Sequence, residues 1–233
     1  MIGVAEPDDL GRIPVAFPMP TPVPRPKPGR VDGPHPHMDA GWSGGLSIPI
    51  IQTDRLLLTA LAEHHRDDWA RIDADPRIAE WLGRTGQPDP QRAREDAWRA
   101  MALHAGHWAL RGYGQWALVL RDDSDTLIGR AGLWHPEGWP GIEVGWTIAP
   151  DHQGQGYATE AGLAAIDFAF AHLVIDHSRL VDEVVSVTRP DNAASRRVME
   201  KVGLTDTGTT LELRGHPQVL YRMTRDDWMA RIR

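Results

Sequence analysis

The sequence predicts a mixed α/β domain over residues 50–233, an open sheet flanked by helices, preceded by a proline-rich tail over residues 1–49. Three observations carry that prediction. In Ile142–Ile148 the apolar residues Ile142, Val144, Trp146 and Ile148 alternate with Glu143, Gly145 and Thr147, the period of a strand with one buried face. Pro150 ends that strand, and a polar turn, Asp151–Gly156, opens directly onto a helical run that starts at Tyr157 or Ala158. A second unit of the same kind follows, with the valine-rich strand Val181–Val187 leading into a helix within Arg189–Leu204. Two hairpins, Gln115–Leu120 with Thr126–Trp134 and Thr207–Leu213 with Val219–Thr224, complete the sheet.

In chain order, the run PMPTPVPRPKP in the tail cannot form a helix or a central strand and is expected to be disordered, with polyproline II character. It reads as a dispensable tail, or as sequence ahead of a later start at Met38, in preference to a ligand for an SH3-like or WW-like groove. Ile51–Leu61 reads as one strand with a polar entry. Glu63–Ile72 and Pro76–Leu82 are short helical pieces, and Pro90–Trp108 has helical spacing through Ala93, Ala97, Trp98, Met101 and Ala105. RDDSD and RGHPQ are the hairpin turns. The helix after the glycine-bearing turn carries Leu163, Ile166, Phe170 and Leu173 as one apolar stripe. Asp191 or Asn192 caps the next helix, Gly203 ends it, and Arg225–Ile232 is a last helical turn.

With 233 residues, 41% of them hydrophobic, the chain has room for one sizeable core and suits a soluble globular protein. No apolar run approaches a membrane span and the N-terminus lacks a signal-like pattern, so a cytoplasmic protein that binds no membrane is expected. The net charge of −7 argues against nucleic-acid binding and fits a cationic substrate better. The sequence has no cysteine, which excludes disulfides, thiolate metal sites and a Cys-acyl intermediate. His104 and His107 are spaced i, i+3, but without an HExxH pattern they read as a solvated helix face, and no metal is expected.

The turn Asp151–Gly156 is the most informative stretch. Free N–H groups at a helix N-terminus, backed by the helix dipole, form an anion site, and Gly154 and Gly156 let a phosphate approach the main chain. It is neither a Rossmann fingerprint nor a P-loop, lacking the third glycine and the Gly-Lys-Ser/Thr ending. The pattern Gln153-x-x-Gly156-x-Ala158 resembles the acetyl-CoA pyrophosphate loop of the GNAT superfamily of N-acyltransferases, whose form is (Arg or Gln)-x-x-Gly-x-(Gly or Ala). Two further stretches resemble its RimJ/RimL branch. Thr53–Thr59 follows T-x-R-L-x-L-R except at Thr59, and Asn192, Ala194, Ser195, Val198, Glu200, Lys201, Gly203 and Leu204 match N-x-A-S-x-x-V-x-E-K-x-G-(F or L). Together these cover nearly all of Ile51–Thr224.

The resemblance implies a central, mostly antiparallel sheet with a splayed central strand pair, acetyl-CoA as co-substrate, and transfer of the acetyl group to a primary amine. A protein N-terminal α-amine is the acceptor that the RimJ/RimL likeness implies; a small-molecule amine such as an aminoglycoside, polyamine or amino acid is the alternative, and a non-catalytic acyl-CoA-binding module a third. A homodimer is a family-level expectation. The main chain of Trp146, Thr147 and Ile148 would pair with the pantetheine arm. Gln153, Gly154, Gln155, Gly156, Tyr157 and Ala158 would hold the pyrophosphate. Asn192 would bind pantetheine or a water, and Ser195 would donate to the leaving thiolate.

The chemistry also asks for a base. A side-chain amine with a pKa of ~10.4, or an α-amine of ~7.7–8.0, arrives mostly protonated. Glu143 on the central strand and Glu212 in the closing hairpin are the candidate bases, with Tyr157 and Tyr221 as alternative proton donors. Tyr221 also reads as half-buried packing. Trp134 and Trp139 flank a loop on the acceptor side and could wall a substrate.

Overall fold

The computed structural model describes residues 40–43, 46–83, 89–175 and 179–231. The chain opens with a hairpin, β1 (Ala40–Ser43) and β2 (Leu46–Pro49). The expected tail, residues 1–49, therefore overlaps a paired segment. Ile48 is buried and the Trp116 indole donates to the Pro49 carbonyl at 2.8 Å, so this end is tied to the core. Residues 1–39 lie outside the described residues.

The strand expected over Ile51–Leu61 is broken. It forms β3 (Ile51–Gln52) and β4 (Leu56–Thr59), which pair with each other antiparallel, Ile51 opposite Leu58. The Thr53 hydroxyl makes the bend by accepting the Leu56 N–H at 3.0 Å, a local side-chain bond that competes with continuing the strand. A 3₁₀ turn (Glu63–His65) then leads into α1 (Arg66–Ala74) and α2 (Pro76–Ala79). Asp75 caps α2, accepting the Arg77 N–H at 2.9 Å ahead of Pro76. α3 (Pro90–Arg111) starts the same way, from Asp89 and Pro90, and stops at Gly112, whose φ of 74° ends the helix.

β5 (Gln115–Leu120), β6 (Gly129–Trp134) and β7 (Glu143–Ile148) form an antiparallel meander. After the glycine-bearing turn comes α4 (Tyr157–His172). A two-strand ribbon, β8 (Val174–Ile175) and β9 (Arg179–Leu180), precedes β10 (Glu183–Thr188) and α5 (Ala193–Lys201). β11 (Thr205–Leu213) and β12 (His216–Thr224) then close the sheet, and α6 (Arg225–Arg231) ends the described chain. The turn between β11 and β12 is two residues, Arg214 and Gly215, shorter than the expected RGHPQ. Both have positive φ, 54° and 76°, as a tight hairpin requires.

The main sheet runs β11-β12-β10-β7-β6-β5-β4-β3. Every neighbouring pair is antiparallel except β10 with β7, which is parallel and has a single register pair, Val185 opposite Glu143. This is the splayed central pair. Alternation along β5 divides the core between two faces. Trp116 and Leu118 pack with α4 and α5 residues such as Ile166, Phe170 and Met199, while Ala117 packs with Trp69, Ile72, Ala97 and Met101 of α1 and α3.

Candidate active site

The site is built where β7 and β10 part. The Val185 N–H donates to the Ile142 carbonyl at 2.9 Å, and the Ser186 hydroxyl donates to the Val144 carbonyl at 2.8 Å. Beyond these, no described register pair joins the two strands, so the main chain of Trp146–Ile148 faces the gap on that side. On its other side β7 stays fully laddered to β6, from Trp134–Glu143 to Gly129–Ile148. The Trp146 side chain is directed away, with its six-membered ring against Gly162 of α4, and Ile148 is core.

At the end of β7, the Gln153 side-chain amide donates to the Ile148 carbonyl at 3.0 Å and fixes the start of the turn. Gly154 and Gly156 have φ of 75° and 88°, a region that L side chains enter only under strain. Gln153–Gly156 are exposed, and Gly156 caps α4 without any side-chain hydrogen bond to the first helical turn. The N–H groups opening this helix of 16 residues therefore remain available to an anion. Gln155 holds the loop closed by donating to the Asp151 carbonyl at 3.2 Å.

Arg55 completes the loop. Its guanidinium donates to the Gln155 carbonyl at 2.9 Å, lies 4.6 Å from the Tyr157 ring centre, and pairs with Glu160 at 2.7 Å. Burial opposes ionisation of Glu160, but the Thr53 hydroxyl, the Arg55 N–H and the Arg55 guanidinium outweigh it and hold its pKa below the ordinary value. The bend between β3 and β4 is thus pinned to the first turn of α4, with a cation beside the helix N-terminus.

Glu143 lies at the parting itself. Its carboxylate accepts the Trp139 indole N–H at 2.6 Å and the Val187 main-chain N–H. Burial is the largest influence and raises its pKa to about 7; the Trp139 bond, the Val187 bond and the Arg214 charge pull the other way. A carboxylate poised near neutrality can exchange a proton with an amine at physiological pH. Its neighbours belong to the face carrying α1 to α3. Gly145 forms a floor, with Glu143 Oε1 and Gln115 Nε2 lying 3.6 and 3.7 Å from the point a Cβ there would occupy. Arg214, in the β11–β12 turn, stacks its guanidinium 5.0 Å from the Trp139 ring centre. His216 Nε2 lies 3.7 Å from the Cβ position of Gly83, so that hairpin also reaches the turn that follows α2.

Residues 55–205 match the family described as Acetyltransferase (GNAT) domain. The chain belongs to this GNAT acetyltransferase family. The uncharacterized N-acetyltransferase YnaD of Bacillus subtilis (strain 168) is 27% identical over 161 residues, 68% of this chain and 84% of that protein. The FsC-acetyl coenzyme A-N(2)-transacetylase of Aspergillus fumigatus is 27% identical over 205 residues, 78% of each chain. The crystal structure of an acetyltransferase from Agrobacterium tumefaciens str. C58 superposes with a TM-score of 0.63 at 27% identity, covering 80% of this chain and 98% of that one. The protein is accordingly a GNAT-type, acetyl-CoA-dependent N-acetyltransferase.

Within the GNAT domain the residues expected from sequence fall into distinct places. Trp146, Thr147, Ile148 and Gln153–Ala158 line the strand edge and the loop, one continuous path from the sheet gap to the helix N-terminus. Asn192 is committed to a local task, its side-chain oxygen accepting the Ser195 N–H at 3.0 Å as the cap of α5. Its amide N–H₂ and the part-exposed Ser195 are what remain for a ligand. Glu212 is exposed on β11, the edge strand, with β12 and β10 between it and β7. Tyr221 is fully buried, not half-buried, and its hydroxyl accepts from Arg196 at 3.1 Å.

His104 and His107 are not a solvated face. His107 is buried, stacks 4.5 Å from Trp134, donates from Nδ1 to the Tyr113 carbonyl at 2.7 Å, and accepts the His135 N–H at Nε2 at 3.0 Å. His104 lies 4.7 Å from the same indole and 5.5 Å from Trp69. Burial, followed by the charges of Arg130, His107 and Arg214, lowers its pKa to about 3, so it is neutral. Trp134 is consequently packed in this cluster. Sequence reasoning missed Arg55, which the T-x-R-L resemblance already contained, and Gln115 and Arg214, for which the sequence offered no local signal.

Proposed function

We propose that the chain acetylates the α-amine of a polypeptide N-terminus by direct attack on acetyl-CoA, with Glu143 as the general base. The observation that carries this reading is the Glu143 carboxylate, raised to a pKa of about 7 at the parting of β7 and β10. The edge of Trp146–Ile148 would align the pantetheine arm and Gln153–Ala158 the pyrophosphate, so that a thioester carbonyl is held near Glu143. Of the three protons on the incoming ammonium, one passes to Glu143 and on to solvent. The amine nitrogen then bonds the carbonyl carbon, the C–S bond breaks, the second proton ends on the departing thiol with Ser195 as the nearby donor, and the third stays on the amide. Holding both substrates in register supplies much of the remaining acceleration.

The fold does not choose the acceptor. Structures sharing it include one titled as a ribosomal-protein α-N-acetyltransferase, RimL, and one titled as an aminoglycoside acetyltransferase, AAC(6′)-Ib. The charge beside Glu143 favours the first kind. Arg214, whose charge acts on Glu143, stands over Trp139, a position that repels a polycation and suits the carbonyl or carboxylate next to an α-amine. A small-molecule α-amine is the second reading, favoured by the N(2) in the name of the Aspergillus relative. Thiol release measured on the full chain with acetyl-CoA and peptides of varied N-terminus, against free amino acids, spermidine and an aminoglycoside, separates them. Faster release with peptides supports the proposal; release with spermidine or the aminoglycoside alone overturns the acceptor assignment.

A further inference from the structure

The structure assigns the open floor at Gly145 to the acceptor: its α-carbon rests there beside Glu143, and the carbonyl oxygen next to it takes an N–H from Gln115 Nε2. The inference rests on the acceptor reading above and narrows it to amines that carry a carbonyl or carboxylate on the α-carbon. Glycine is a poor choice inside a strand, since it has no side chain to pack and loses more conformational freedom on folding than any other residue. Two of the glycines in β6 and β7 are imposed by the fold. A Cβ at Gly129 would meet the Thr147 carbonyl at 2.3 Å, and one at Gly132 the Gly114 carbonyl at 2.4 Å. Gly145 is under no such constraint. A Cβ there would meet Glu143 Oε1 at 3.6 Å and Gln115 Nε2 at 3.7 Å, ordinary contact distances, and its φ lies outside the region that favours glycine.

What the missing Cβ preserves is space. β7 lies inside the eight-stranded sheet, yet Glu143, Gly145 and Thr147, alternate residues on one face, are each partly exposed. Solvent therefore reaches the sheet surface at this point, next to the proposed base. The two polar groups that border the space are of opposite kinds. Glu143 accepts and can take a proton, whereas Gln115 presents its donor end, Nε2, which donates to no described residue. An α-amino carbonyl group carries the matching pair, an amine for the carboxylate and an oxygen for the amide N–H. Two contacts one carbon apart fix the direction of the attacking nitrogen, which is the positioning that direct attack requires. A methyl group on the floor would occupy the place of the α-carbon without disturbing the protein around it.

The test uses full-length protein, calorimetric titration of acetyl-CoA, and thiol-release kinetics at saturating acetyl-CoA. The amines are a peptide with N-terminal alanine, spermidine, ribostamycin, and isopropylamine, which keeps the methyl-bearing carbon of alanine and lacks the carbonyl. Gly145→Ala is expected to leave the thermal midpoint unchanged or raised and the acetyl-CoA Kd within about twofold, while kcat/KM for the peptide falls about tenfold or more. Gln115→Leu should lower kcat/KM for the peptide about tenfold and that for isopropylamine by less than about twofold; each amine is compared with wild type, so its basicity cancels. Unchanged peptide kinetics in Gly145→Ala, or an equal loss of acetyl-CoA affinity, overturns the floor assignment. Equal losses for peptide and isopropylamine in Gln115→Leu put the amide on the thioester and overturn the carbonyl contact. Thiol release with spermidine or ribostamycin alone, or with none of the four, refutes the acceptor reading and this subsite with it. Glu143→Gln is run alongside, and its pH profile judges the base reading separately, because the Gly145 and Gln115 results are read from ratios at one pH.

Discussion

Replacing Glu143 by glutamine tests the catalytic reading most directly. The amide keeps the shape, and its oxygen can still accept the Trp139 indole and the Val187 N–H, but it cannot take a proton. Two consequences follow. First, a loss of about 10²–10⁴ in kcat/KM is expected for removing a general base. The acceptor's own ionisation also shapes kcat/KM, but it is common to both proteins and cancels in their ratio. The wild-type to variant ratio should therefore climb about tenfold per pH unit up to about 7 and then level. Second, the group is a carboxyl whose pKa rises on folding, from 4.5 to about 7. Its contribution to stability is complete below the lower value and is lost as pH rises through the upper one. A shift of about 2.5 units is worth about 3 kcal/mol at 1.36 kcal/mol per unit, an upper figure for a half-buried group. Urea unfolding at pH 5 and pH 8 should show wild type losing stability relative to Glu143→Gln by up to that amount. A flat ratio of rates across neutrality, together with unchanged relative stability, would refute the argument that burial at the strand parting creates the base.

Three other outcomes are expected. Gly156→Ala places a Cβ at φ 88° and 3.3 Å from the Arg55 guanidinium, so with a left-handed penalty of about 1–2 kcal/mol the acetyl-CoA Kd should rise about tenfold by calorimetry. Arg55→Met takes the guanidinium from both Glu160 and the Gln155 carbonyl, and should weaken acetyl-CoA binding several-fold, with an unchanged KM for the amine at saturating acetyl-CoA. His104 has its pKa depressed to about 3, so the stability tied to its neutral form is present above the ordinary 6.5 and is lost as pH falls toward 3. His104→Phe should lower the midpoint of acid unfolding followed by near-UV circular dichroism.

Much of the fold was legible because its signals are local. The alternation in Ile142–Ile148, the stop at Pro150, the glycine turn and the stripe on α4 are each decided within a few residues, and the structure has β7, the turn and α4 at those positions. The cap at Asn192 and the stop at Gly203 were equally local. The misreadings came from contacts across the chain. The apolar run of Ile51–Leu61 looked continuous, yet Thr53 turns back on Leu56 and also donates to Glu160, a residue 107 positions away. His104 and His107 carry polar side chains at helical spacing, which suggested solvent. Their burial depends on Trp134 arriving from β6, which no periodicity on α3 could announce.

The choice between the two candidate bases shows where sequence pattern stops. Glu143 and Glu212 are both carboxylates on strands flanked by apolar residues, and from the chain alone each has the same access to an amine. What separates them is the order of the sheet. β11 is an edge strand, and Glu212 meets solvent there, as carboxylates on exposed edges commonly do. β7 is central, and Glu143 there is desolvated, with the Trp139 indole and the Val187 N–H as its donors. The parallel pairing of β7 with β10 fails after one register pair, and Glu143 stands at that point. The strand edge of Trp146–Ile148 proposed for the pantetheine arm thus starts beside the carboxylate proposed as the base, whose pKa burial raises. On the proposed reading, cofactor edge and base border one interrupted ladder, so a substitution that closed the ladder would disturb both together.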